Sequence, residues 1–140
     1  MKLQFKHQKF QADAAKAVCD VFAGQPFHTP TYMIDPGLGQ TSLEDTANFT
    51  GFNNAPVVLS DDEVLEHIRT IQRNGHIRPS DVLAGRYNLT IDMETGVGKT
   101  YTYIKTMYEL NKRYGWSKFI VVVPSVAIRE GVYKSFQMTE

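Results

Sequence analysis

The stretch Gly96-Val97-Gly98-Lys99-Thr100 has residue types at a spacing that can bind phosphate. Glycines let backbone N–H groups close around an oxyanion, a lysine reaches the β- and γ-phosphates, and the adjoining hydroxyl can ligate Mg2+. In this reading Thr95, Gly96, Val97 and Gly98 form the loop, with Glu94 and Thr95 on its approach. Lys99 carries the charge, and Thr100 takes the Mg2+ of a bound ATP. The strict signature G-x-x-x-x-G-K-[ST] opens with glycine, and Met93 stands there instead. The later residues carry most of the physics, so Met93 reads as the last residue before the loop. The competing reading is a glycine-rich turn followed by a surface lysine.

Two further groups can do chemistry. The Gln11 amide offers both a donor and an acceptor to the edge of an adenine; its alternative is a solvated glutamine on a helix face. Pro124 and Ser125 stand at the start of a helix pattern, where backbone N–H groups face an anion such as a nucleic-acid phosphate, and Arg129 can add a charge-assisted contact. Arg129 with Glu130 can equally be a solvated face. Cys19, the single cysteine, lies in an Ala/Val-rich helical pattern and reads as a small buried hydrophobe, with no disulfide possible within the chain.

A phosphate loop must be held between a rigid lead-in and a helix whose positive end faces the phosphates. Tyr87 to Met93 alternates and is rich in strand formers, while Lys99 to Tyr114 has a helical pattern stopped by Gly115. Lys118 to Val123 is a continuous apolar run of the kind buried on both faces of a parallel sheet, and Ser125 begins a helix through Phe136. Strand, loop, helix, strand, helix describes a right-handed parallel crossover, so an α/β fold is expected.

Upstream, Phe10, Ala14, Val18, Val21 and Phe22 predict a helix over 8–22 with those residues inward, closed by Gly24 and Pro26. From Gln25 to about Val57 prolines and glycines predict an irregular excursion. Ser60-Asp61-Asp62-Glu63 is a capping box; Val64, Leu65, Ile68 and Ile71 give its helix an apolar stripe, and Asn74-Gly75 a left-handed stop. Ser80 reads as the cap of a short turn before Gly85.

With 140 residues, one core is expected, and 42% hydrophobic with 21% charged residues is a soluble globular composition without a membrane role. The N-terminus has no apolar stretch of a secretory signal, which points to the cytoplasm. The sequons at Asn48 and Asn88 then read as chance triplets. Zero net charge withholds the global basic signal of a DNA-coating module but leaves room for a local phosphate-contacting patch.

Taken in order, F-Q-A-D-A, METGVGKT and YGWSKFIVVVPSVAIREGV resemble the start of the Res subunit of type III restriction enzymes. IDPGLG and GFNNAPVVLSDDEVLEHIRTIQRNG extend the likeness over essentially the whole chain, and AIREGVYKS is its more family-specific part. The resemblance implies residues 1–140 of a partial RecA-like P-loop NTPase domain, a parallel sheet with flanking helices, interrupted by an irregular and helical insertion at about 25–86. It implies an ATP-driven translocase on double-stranded DNA with a separate nuclease domain, working with a DNA methyltransferase (Mod) subunit. Gln11 would then be the adenine-reading glutamine, Gly96, Gly98, Lys99 and Thr100 the first helicase motif, and Pro124 and Ser125 part of a motif touching DNA. Val126 stands where the commoner Pro-Thr-Arg-Glu pattern has arginine.

After Phe136 come only Gln-Met-Thr-Glu, without an Asp-Glu motif to position water, an arginine finger or a nuclease carboxylate cluster. The expectation is an N-terminal fragment that does not turn over ATP alone, and that self-associates through the apolar Lys118–Val123 run. A non-hydrolysing module docking on the methyltransferase is the alternative, and a small-molecule P-loop kinase ranks last.

Overall fold

The buried face of the first helix is set by residues four apart. In the computed structural model, which describes residues 8–29 and 54–139, α1 spans Lys9–Val21 and buries Gln11, Ala15 and Cys19 in one row. At its start this face lies one residue round the helix from the expected one, since Phe10 is 46% exposed while Ala15 and Cys19 are fully buried; at its end Val21 and Phe22 are buried as expected. Small side chains in that row allow a close helix approach. The neighbour is α3, Lys99–Tyr114, which buries Thr102, Thr106, Leu110 and Tyr114, again four apart. Rows at this spacing are the ridges that interdigitate in the commonest helix packing. The buried threonines are satisfied locally: the Thr102 hydroxyl donates to Gly98 O at 3.2 Å and the Thr106 hydroxyl to Thr102 O at 2.8 Å.

Between them in sequence, α2 spans Asp61–Asn74 and starts as expected. Ser60 Oγ accepts from Glu63 N at 3.3 Å while Ser60 N donates to the Glu63 carboxylate at 2.8 Å. Its stop differs from the expectation, because Gly75 has φ −86° and the left-handed residue is His76, with φ 56°. Ser80 starts no helix. Its N–H donates to Gln72 Oε1 and its hydroxyl accepts from Gln72 Nε2, each at 2.8 Å, so it straps the following loop back onto α2.

The ends of α1 and α3 meet in an aromatic cluster. The Phe22 ring stands edge-on to Tyr87, Tyr114 and Trp116, with centroids 6.0, 6.5 and 5.1 Å away. Leu59, Val64 and Leu110 complete this core. Gly115 makes the turn that brings Trp116 back: it has φ 76°, and a Cβ there would run into the His28 carbonyl. Trp116 Nε1 donates to Ala55 O at 3.0 Å, which ties the segment before α2 to the end of α3.

The expected α/β fold with a parallel sheet is overturned: among the described residues there is no strand and no sheet, only α1, α2, α3 and α4, the last spanning Val126–Thr139. Residues 87–93 and 118–123 are irregular, and neither joins a backbone ladder. Ile120 is 94% and Val122 88% exposed, while Phe119 and Val121 on the alternate side are 37% and 39% exposed, so the run expected to be covered on both faces is open on one and only partly covered on the other. The physical reason is that a strand exists only when another segment pairs with it, and apolar patterning within one segment does not specify that partner. What holds the base of the run is a side chain. Asn54 accepts from Ser117 N at 3.0 Å and from Lys118 N at 2.9 Å, and donates to Lys118 O at 2.7 Å.

Of the expected excursion over 25–57, residues 30–53 lie outside the described residues, as does the Asn48 sequon. At its start Gln25 is buried and bridges to its end, donating to Pro56 O at 3.0 Å and accepting from Val58 N at 2.9 Å. No helix among the described residues is long and apolar enough to cross a membrane.

Candidate functional site

The loop before α3 turns on two residues of positive φ, Gly96 at 80° and Gly98 at 85°. An L-residue with a Cβ is strained in this left-handed region. Gly96 has nothing within 4 Å of where a Cβ would sit, so conformation alone demands its glycine. At Gly98 space matters too, since a Cβ would come within 2.5 Å of Gln11 Nε2.

Gly98 is the N-cap of α3, and no side chain caps that end. The first intrahelical bond runs from Thr102 N to Gly98 O at 3.0 Å. Helix starts carry backbone N–H groups without intrahelical partners and a positive dipole end, so an uncapped start is suited to an anion. No acidic residue lies in the first turn to compete for it. Lys99 is exposed, and among the described residues no carboxylate pairs with it. Thr100 is half-buried beside it, and Thr95 is exposed on the approach. The start of α3 thus combines glycine backbone, a helix dipole and an exposed ammonium, the elements of an anion site.

The structure brings Gln11 to this loop. It is 8% exposed and its Nε2 donates to Val97 O at 2.7 Å, across 86 residues of sequence. The solvated helix-face reading of Gln11 therefore does not hold. The signal was present in the sequence as the spacing Gln11-Ala15-Cys19, which marks one helical face as readily as the Phe10-Ala14-Val18 row does.

At the other end of α1 a polar clamp fixes it on α3. Tyr114 Oη donates to Cys19 O at 2.7 Å, and Arg113 pairs with Asp20 at 2.9 Å. Burial pushes the Cys19 thiol up to about 11 and also raises the Tyr114 phenol, so neither ionises near neutral pH. For Asp20, burial works upward, but hydrogen bonds from Lys16 and Arg113 outweigh it and hold the carboxyl below its ordinary range. The start of α1 thus lies against the start of α3 and its end against the end. Arg113, Asp20 and Tyr114 had no functional signal in the sequence; their spacing only marks them as helix residues.

Pro124, Ser125 and Arg129 are not drawn into this site. Ser125 Oγ accepts from Ile128 N at 3.3 Å, capping α4, and Arg129 pairs with its neighbour Glu130 at 3.2 Å. Both partners are well exposed. Their hydrogen bonds and ion pairs run within α4 and its cap. No group of three or more His, Cys, Asp or Glu among the described residues could hold a metal ion.

The family model described as type III restriction enzyme, res subunit, matches residues 5–140. The EcoP15I Res subunit of Escherichia coli, a type III restriction-modification enzyme, is 41% identical over 127 residues, 89% of this chain and 11% of the relative. The EcoPI Res subunit of Escherichia phage P1 is 33% identical over 127 residues, with the same coverage of 89% and 11%. The StyLTI Res subunit of Salmonella typhimurium is 57% identical over 44 residues, 31% of this chain and 4% of the relative. The chain therefore spans about a ninth of the length of the first two relatives.

Proposed function

From the premise that the chain belongs to the type III restriction enzyme Res subunit family, we propose that its loop 95–100 holds the polyphosphate of ATP. The single observation that carries this is the start of α3: glycines in left-handed conformation, no side-chain cap, and an exposed Lys99 without a carboxylate partner among the described residues. Gly96, Val97 and Gly98 turn the backbone toward the anion, with Thr95 at the entrance. Lys99 neutralises the β- and γ-phosphate oxygens, and the Thr100 hydroxyl ligates a nucleotide-bound Mg2+. The second N–H and the oxygen of the Gln11 amide remain for an adenine edge. ATP with its metal supplies the phosphoryl group whose transfer to water releases free energy; the residues of this chain bind and orient it.

In the intact protein this site powers movement on double-stranded DNA and its endonucleolytic cleavage, in company with a Mod methyltransferase subunit in the cytoplasm. The family membership supports that wider reading. Pro124, Ser125 and Arg129 serve as a weaker DNA-phosphate contact, which requires Arg129 to leave Glu130. The exposed Ile120 and Val122 support covering of the 118–123 run by a second copy, which sedimentation at rising protein concentration tests.

The test of the nucleotide reading is calorimetric titration of the chain with ATP and Mg2+. Saturable binding that weakens about 10- to 100-fold in Lys99→Ala, with unchanged far-UV circular dichroism, is the expected outcome. Undiminished binding in Lys99→Ala would move the nucleotide elsewhere.

A further inference from the structure

We propose that Gln11 is a positioning residue for the phosphate loop: its amide fixes the Val97–Gly98 peptide in the orientation that receives phosphate, so it acts on the polyphosphate and not only on a base. The inference rests on the reading of residues 95–100 as a nucleotide site.

The chemistry of the contact is unambiguous. Val97 O can only accept, so the group facing it at 2.7 Å must be the amide nitrogen of Gln11 and not its oxygen. The Val97–Gly98 peptide is trans and planar, so its C=O and N–H point in opposite directions. Drawing the carbonyl toward α1 therefore aims the Gly98 N–H away from α1, on the open side of the turn. A glutamine on one helix thereby sets the direction of a backbone donor on another.

Three further observations support this role. Gly98 is the only kind of residue that lets the amide lie so close, since a Cβ would come within 2.5 Å of Nε2. Gln11 is buried in the same row as Ala15 and Cys19, so its side chain starts from a packed backbone and not from a mobile surface. The clamp of Tyr114 on Cys19 O and Arg113 on Asp20 holds the far end of α1 to the same helix that the loop begins. The loop is thus braced from α1.

A base reader and a loop brace differ toward a ligand that has no base. The chain, Gln11→Ala and Gln11→Met, the second keeping the buried length of the side chain, are titrated with tripolyphosphate and with ATP, each with Mg2+. The brace predicts that tripolyphosphate weakens by about five- to tenfold in both variants, the size of one lost hydrogen bond, and that ATP weakens at least as much. Weakening confined to ATP, with tripolyphosphate unchanged, overturns it in favour of base reading alone. If the unsubstituted chain binds neither ligand, the nucleotide reading fails, and the brace is decided by amide exchange without ligand. Exchange at Thr102, whose N–H bonds to Gly98 O, should then rise about fivefold in Gln11→Met while Val64 in α2 is unaffected. An unchanged Thr102 rate overturns the brace.

Discussion

α3 and α4 both follow a segment that reads as a strand in sequence and is irregular in the structure, yet α3 begins at a left-handed glycine with no side-chain cap and α4 begins after Ser125, whose hydroxyl accepts the Ile128 N–H at 3.3 Å. The charged residues nearby differ in the same sense. Lys99 has no carboxylate partner among the described residues, whereas Arg129 pairs with Glu130. From sequence both starts were candidates for phosphate. The difference teaches that a helix dipole alone does not make an anion site: at α4 part of the donor set and the cation are already engaged, and at α3 they are held in reserve.

The comparison breaks most readily at the cations. Lys99→Ala should weaken ATP and tripolyphosphate about 10- to 100-fold, as for a lost charge-assisted hydrogen bond, without moving the thermal midpoint of this exposed position. Arg129→Ala should leave both affinities unchanged by the same calorimetric titration. Equal losses in the two variants would abolish the distinction.

The glycines sharpen it. Gly98→Ala forces an alanine into φ 85° and against Gln11, which should cost about 1–2 kcal/mol in urea unfolding from the left-handed strain alone. Gly131→Ala in α4 meets nothing within 4 Å and should instead stabilise by about 0.5–1 kcal/mol. Ser125→Ala should lower the stability of α4 by about 1 kcal/mol, seen as loss of helical amide protection, and leave tripolyphosphate affinity untouched.

The smallest effect is electrostatic and concerns the clamp behind the α3 site. Asp20 has a folded-state pKa below its ordinary value of 3.8, so the stability it adds is fully present above that value and is lost as pH falls through the lower folded value. Because the Arg113 pair is about a third exposed, the loss should stay under about 1 kcal/mol. Acid titration of unfolding with Asp20→Asn, which should flatten this limb, checks it.

The helices and the turn at the loop's glycines were legible because both are local. The capping box at Ser60 and the Gly115 stop are written within a few residues, and Gly96, Gly98 and Lys99 carry their conformational and charge requirements in their own types. What was not legible depended on partners far along the chain. The helical row containing Gln11 and the row containing Phe10 differ by one residue, and only the position of α3 decides which is buried. The apolar run before α4 reads as a sheet strand, but among the described residues it joins no sheet, and its base is held by Asn54. Periodicity reports what a segment is able to pack against; it does not supply the neighbour.

The central claim, that the start of α3 and not the start of α4 takes the polyphosphate of a nucleotide, is tested most directly by following backbone amide resonances during a tripolyphosphate titration of the chain. The account predicts saturable shifts at Gly96, Gly98, Lys99 and Thr100, with Ile128 and Arg129 unmoved. Shifts at Ile128 and Arg129 of equal size, or none at Gly98 and Lys99 at saturating ligand, would contradict it.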